Sequence, residues 1–250
     1  MNAIRSRRPV LLVHGFLRTA KSMKRMQRWL EGRGWEVSVL TLSPSDGSRS
    51  LNQLAEQLAA HIDRNFRTGS HINLIGYSMG GLICRDYVQR LHGLARVERL
   101  ITISTPHNGT RLAYLSPRPG CREMRPTSSF LNSLNNTARS LELIDFTSIW
   151  TPLDLIIVPA TSSRISIGRD CKRWVIAHPL MIWQQSCLLE IEQLLAQPLS
   201  AKFEKELPAS RHGQGNSRLD WTSRTPGDFQ KTIDFFRESG MSSCHDLYQL

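Results

Sequence analysis

Ser78 lies in Gly76-Tyr77-Ser78-Met79-Gly80, between the apolar run His71 to Ile75 and the apolar helical pattern that starts at Gly81-Leu82. A sharp strand-to-helix turn of this kind forces its central residue into strained backbone angles, and glycines two positions either side leave room for it. Such a turn holds a serine hydroxyl clear of the sheet, beside the positive end of a helix. A serine hydroxyl at neutral pH is a poor nucleophile. Attack on an acyl carbonyl therefore requires a histidine base, a carboxylate to hold that base, and N–H donors for the oxyanion. In this arrangement the residues follow the chain order Ser, acid, His, each at the carboxyl end of a strand. Ser78, Asp154 and His178 meet both conditions. The rival acid is Asp170, read as a loop residue shortly before Trp174, and Asp145 begins a strand rather than ending one. The rival base is His107, which precedes the acid and is expected instead to shape the substrate pocket or order its loop. His61, His71 and His92 read as surface residues.

The oxyanion donors are expected to be the backbone N–H groups of Met79, the residue after the nucleophile, and Phe16, in the loop after the first strand. Phe16 and Leu17 could also line an apolar acyl pocket. His14 is expected to fix this loop by hydrogen bonding, without a chemical role.

These residues need a sheet to present them, and the chain alternates in the way such a sheet requires. Pro9 to Val13 is a continuous apolar run suited to a strand buried on both faces. Met23, Met26, Trp29 and Leu30 recur at helical spacing, Trp35 to Leu42 reads as a second strand, and Leu51 to Phe66 as an amphipathic helix. The Ser78 turn leads into a helix through about Leu91, then a strand from Val97 to Ser104. Residues 111–145 break the rhythm, and an insertion of this length before the acid strand suits a lid or a binding wall. Phe146 to Trp150 reads as a strand with Asp154 beyond its end. Arg173 to Ile176 reads as a last short strand leading to His178, and Ile182 to Leu195 as a closing helix. The pattern predicts an α/β fold, a mostly parallel sheet with helices on both faces. The catalytic domain is expected over 1–197, with 198–250 a polar tail carrying one short helix around Phe229, Ile233 and Phe236.

The 250 residues are 40% hydrophobic and carry a formal net charge of +11. From Pro198 onward seven Lys/Arg balance seven Asp/Glu, so the excess lies on the first 197 residues. The arginines are dispersed and no nucleic-acid motif accompanies them, so the charge predicts a solvated surface biased toward anionic substrates and peripheral contact with an anionic membrane surface. Nucleic acid is not an expected partner, and oligomeric state is left open. The five cysteines are scattered without metal-ligand spacing, so neither a metal nor a cofactor is expected. The basic N-terminus lacks the long apolar stretch of a secretory signal, so the expected location is cytoplasmic.

Val13-His14-Gly15-Phe16, Gly76 to Leu82, Ser104-Thr105-Pro106-His107-Asn108-Gly109-Thr110 and the Asp154/His178 pair together resemble bacterial lipases and esterases of the α/β-hydrolase superfamily. Met124 to Leu131 is similar to the stretch that leads into the lid of those enzymes. The resemblance covers roughly 9–196. It implies an α/β-hydrolase fold, a triad of Ser78, Asp154 and His178, and oxyanion donors at Phe16 and Met79. It also implies a serine hydrolase cleaving carboxylic esters of acyl lipids. An acyltransferase or an acyl-thioesterase could use the same triad, and a binding protein could keep the fold with the site disabled.

Overall fold

The structure, a computed structural model, describes residues 7–199. The expected tail, with its helix near Phe229, lies outside the described residues, apart from its first two positions. Six strands form one wholly parallel sheet: β1 (Val10–Val13), β2 (Val37–Leu40), β3 (Ile72–Tyr77), β4 (Val97–Ile103), β5 (Asp145–Trp150) and β6 (Arg169–Lys172), in the order β2-β1-β3-β4-β5-β6. Every residue of β1 and β3 is buried, as suits strands covered on both faces, and the one polar amide among them, Asn73, donates to Arg8 O.

The helices divide between the two faces. α2 (Leu51–Asn65) and α3 (Met79–Arg90) lie on one, where Leu54, Leu58, Ile62, Leu82 and Ile83 meet Leu11, Leu74 and Leu100. Ser50 opens α2 with a capping box, its side chain accepting from Gln53 N–H. α1 (Lys24–Glu31) and α6 (Gln185–Ala196) lie on the other face, where Met23, Met26, Leu30, Leu188 and Ile191 meet Val10, Leu12, Ile75 and Ile101. The chain winds outward from β1 to β2, crosses back to β3 and continues in the opposite direction. The order therefore reverses between β1 and β3, and in open parallel sheets ligands bind beyond the carboxyl ends at such a reversal.

The insertion before β5 consists of a 3-10 turn at Arg111–Leu115, α4 (Pro119–Glu123), α5 (Ser129–Asn136) and a second 3-10 turn at Ala138–Leu143. Cys121, Met124, Phe130, Leu131, Leu134 and Leu141 join the core of the α2/α3 face, so the segment stands as a packed wall over the carboxyl end of the sheet.

One strand differs from expectation. The last strand is Arg169–Lys172, not Arg173–Ile176. Its ladder runs from Thr147↔Arg169 to Trp150↔Lys172, and β5 ends there, so the residues beyond have no strand to pair with. Arg173 N–H still reaches Trp150 O at 2.8 Å, after which the chain runs extended to His178. Cys84, Cys121, Cys171 and Cys187 are free thiols, and among the described residues no helix is long and apolar enough to cross a membrane.

Candidate active site

Val13 is level with Gly76 in the β1–β3 ladder, so the loops leaving these two strands emerge side by side. The apolar strand β3 runs directly into Ser78, whose φ of 54° and ψ of −124° lie in a region a non-glycine residue occupies only when its surroundings force it. The glycines allow that turn. A Cβ on Gly76 would lie 2.5 Å from Gly81 Cα, and one on Gly80 would lie 2.5 Å from the carbonyl oxygens of Val13 and His14. Gly15 closes on the serine from the other loop: a Cβ there would sit 2.9 Å from Ser78 Cβ and 3.4 Å from Ser78 Oγ.

Met79 is the first residue of α3, so its N–H has no acceptor within the helix. In the loop after β1, Leu17 N–H donates to Ser45 O at 2.8 Å and Arg18 N–H to Gly15 O at 3.3 Å. No acceptor among the described residues takes the N–H of Phe16. His14 is fully buried behind this loop and accepts Leu42 N–H on Nε2 at 3.0 Å, which leaves Nδ1 to donate to Gly15 O at 3.0 Å. Burial lowers its pKa, only partly opposed by the Gly15 bond, and keeps it neutral, the loop-fixing role expected of it.

Asp154 and His178 meet. His178 Nδ1 lies 2.7 Å from Asp154 Oδ2, while Asp154 Oδ1 accepts the N–H groups of Ile156 and Ile157, each at 2.9 Å. Burial would raise the Asp154 pKa, but the bond and charge of His178 and the two N–H donors outweigh it and hold the carboxyl below its usual range. It is therefore ionised at neutral pH. Tyr77 steadies the histidine from below: its hydroxyl donates to His178 O at 3.2 Å and the ring centroids are 5.0 Å apart. Thr151 Oγ1 donates to Val175 O at 2.7 Å, fixing the extended segment that delivers His178.

Ser78 and His178 face one cavity of about 570 Å³, whose other walls include Phe16, Leu17, Leu112, Met124 and Ile156. The packed insertion supplies one side. Leu17 thus stands where an acyl-lining residue was expected. His107 does not: its ring is fully buried and absent from the lining, where Pro106 takes the place. The pocket-lining role is thus corrected, while the other expected role, ordering the loop, is the one the contacts of His107 fit. α5 covers the loop, and Asn135 Nδ2 donates to His107 O at 3.1 Å while Arg85 Nη1 donates to His107 Nδ1 at 3.1 Å. The rest of that loop ties down the segment that follows the acid. Thr110 Oγ1 donates to Ile156 O at 2.7 Å, and Asn108 Nδ2 donates to Arg164 O at 2.9 Å. Asp170 is also corrected: it lies in β6, not a loop, where it accepts from Trp150 Nε1 and Arg164 Nε.

Sequence reasoning missed Tyr77, Thr110 and Thr151 as supports of the acid and base, although Tyr77 and Thr110 lie within quoted motifs. Among the described residues no group of three or more His, Cys, Asp or Glu gathers as a metal site would.

Residues 9–123 match a family model described as palmitoyl protein thioesterase. The match takes in the Phe16 loop, the Ser78 turn and β4, and ends before Asp154 and His178. Palmitoyl-protein thioesterase 3 of Dictyostelium discoideum is 29% identical over 107 residues, 41% of this chain and 37% of that protein. Lysosomal thioesterase PPT2 of Bos taurus is 31% identical over 108 residues, 41% of this chain and 34% of that one. The match with this chain thus spans little more than a third of the length of these relatives. Among solved structures, Bacillus licheniformis lipase BlEst2 in its mature form superposes with a TM-score of 0.63 at 17% identity, over 76% of this chain and 93% of that one. Aspergillus fumigatus lipase B gives 0.64 at 18% identity, over 73% and 51%. With its parallel sheet, its serine turn and these superpositions, the chain has the α/β-hydrolase fold.

Proposed function

We propose that the protein is a serine hydrolase that cleaves acyl esters or thioesters of lipids, with Ser78 as nucleophile, His178 as base and Asp154 as its orienting carboxylate. The observation that carries this reading is the 2.7 Å Asp154–His178 contact beside a strained serine on the wall of an apolar cavity. Asp154 occupies Nδ1, so Nε2 is the nitrogen that takes the Ser78 proton as Oγ attacks the carbonyl carbon. The N–H groups of Met79 and Phe16 receive the developing oxyanion. His178 then returns the proton to the departing alcohol or thiol, leaving an acyl-serine. A water molecule, deprotonated by the same nitrogen, repeats the addition and frees the acid. The cavity suits the acyl chain, since its volume falls within the usual range of about 300–1,000 Å³ for small-molecule sites and its walls are mostly apolar.

The match over residues 9–123 favours the thioester as the bond cleaved, with a long saturated acyl chain as the group transferred to Ser78. Peripheral contact with an anionic membrane surface is part of the same reading, because substrates of this kind reside there. The experiment is to assay wild type and Ser78→Ala on a palmitoyl thioester and its matched oxygen ester, and to label both proteins with a fluorophosphonate. Wild type is expected to label and to turn over the thioester faster. Turnover or labelling that survives in Ser78→Ala overturns the assignment.

A further inference from the structure

We propose that the solvent face of α1 and the apolar strip beside it form the surface on which this protein docks to an anionic lipid bilayer, a proposal that rests on the acyl-lipid reading of the site. Lys21, Lys24, Arg25 and Arg28 recur at i, i+3, i+4 and i+7, opposite the buried Met23, Met26 and Leu30, so all four project from one side of the helix and the turn before it. None of the four has a carboxylate within ion-pair distance among the described residues. Arg33, beyond them, is already engaged: its guanidinium lies 3.6 Å from the Trp29 ring centroid and pairs with Glu192. The four cations, Arg33, Trp29 and Trp183 line a cavity of about 510 Å³. Four unpaired cations on one helical face repel one another, so a surface that retains them is suited to a partner of high negative charge density.

The position of this cavity identifies the partner as a bilayer. Two chain segments build both cavities: 16–18 and 178–179 line the catalytic one, while Lys21 and Trp183, three to four residues further along each segment, line the cationic one. The same two segments expose apolar side chains, Leu17 at 65%, Leu180 at 39% and Trp183 at 48% of their full accessibility, beside the exposed Arg18 and Thr19. A soluble polyanion would gain nothing from exposed leucines. A bilayer uses both chemistries at one level, taking apolar side chains and indole rings at the headgroup boundary while anionic headgroups meet the lysines and arginines. Docked on this surface, the mouth of the catalytic cavity opens beside the membrane, so an acyl chain can enter without crossing water.

The test is co-sedimentation of the full chain with vesicles of phosphatidylcholine alone and of phosphatidylcholine containing phosphatidylglycerol, for wild type, Ser78→Ala and the triple variant K24Q/R25Q/R28Q. Wild type and Ser78→Ala are expected to bind the anionic vesicles alike and to release at raised salt. The triple variant is expected to lose at least about tenfold in partitioning, while its thermal midpoint and its rate on a soluble short-chain ester stay at wild-type values. Equal binding to the neutral vesicles, no binding to the anionic ones, or undiminished binding by the triple variant overturns the docking surface. Vesicle binding depends on none of the triad, so it stands or fails separately from hydrolysis.

Discussion

The guanidinium of Arg85 donates to Nδ1 of His107 at 3.1 Å, with both side chains fully buried. A guanidinium cannot accept, so Nδ1 is bare and the ring proton is on Nε2, which donates to Thr102 Oγ1 at 3.1 Å. Burial, reinforced by the Arg85 charge, holds the His107 pKa well below its ordinary 6.5. The unfolded chain therefore takes up this proton before the folded one does. The stabilising contribution of neutral His107 is complete above about pH 6.5 and is lost as pH falls below it, at up to about 1.4 kcal/mol per pH unit. His14, buried and lowered in the same direction, adds to the slope. We predict that urea unfolding between pH 7.5 and 5 shows a falling midpoint in wild type and a shallower fall in His107→Gln. Equal slopes would rule out His107 as the source.

Arg85 itself is the charge around which the back of the site is built. It also donates to Gln89 Oε1 at 2.9 Å, Asn135 Oδ1 at 3.0 Å and Leu134 O at 3.3 Å, tying α3 to α5 without a carboxylate partner. Burial and the nearby Arg90 push its pKa down to about 9, opposed by Asp86, so it stays charged at neutral pH. Arg85→Met keeps the aliphatic stem but leaves the buried His107 Nδ1 and the half-buried Asn135 Oδ1 without their donor. The expected cost is about 3 kcal/mol, read as a drop of about 6–12 °C in thermal midpoint for a domain of this size. A midpoint within a degree of wild type would show that the network reorganises freely.

The parts of this molecule that were legible in the sequence are those whose signal is local. The β3 run and the Gly76 and Gly80 pair are written in adjacent residues, and the order of Ser78, Asp154 and His178 follows from placing each after a strand. The Arg85–His107–Asn135 network has no local signature. Arg85 lies in a mixed helical pattern, and its burial depends on α5, some fifty residues further on. The last strand was misplaced for a related reason: Trp174-Val175-Ile176 is the more apolar tetrad end, yet Trp174 and Ile176 are exposed and only Val175 is buried. Strand formation there was decided by where β5 stops offering hydrogen bonds, not by apolar content.

Gly15 makes the closest approach of the β1 loop to the nucleophile. Gly15→Ala would place a methyl 2.9 Å from Ser78 Cβ and 3.0 Å from Tyr77 O, so either the serine or the loop carrying Phe16 must move. Overpacking of this kind costs about 1–3 kcal/mol in stability. Its larger effect falls on geometry, since displacing a catalytic group by about 1 Å can cost on the order of 100-fold in rate. The variant is expected to remain folded, with kcat on a p-nitrophenyl ester down by that order. A near-normal kcat would place the oxyanion donor elsewhere than Phe16.

Asp154→Asn tests the base through its tautomer. The amide can keep its oxygen on the N–H groups of Ile156 and Ile157, which fixes the side chain and turns its NH₂ toward His178 Nδ1. An NH₂ facing Nδ1 requires that nitrogen to be bare, so the ring proton moves to Nε2, and Nε2 can then no longer accept a proton from Ser78. The fold loses one charged contact, while the chemistry loses its base. The expected result is a kcat lower by on the order of 10³–10⁴, with fluorophosphonate labelling slowed in parallel but not abolished, because Ser78 and its N–H donors remain in place. Asp154→Ala should match that rate loss and also lower stability, since the Ile156 and Ile157 N–H groups are left without an acceptor. A variant retaining more than about a tenth of wild-type kcat would mean that His178 does not depend on Asp154 for its orientation, and would remove the acid from the proposed triad.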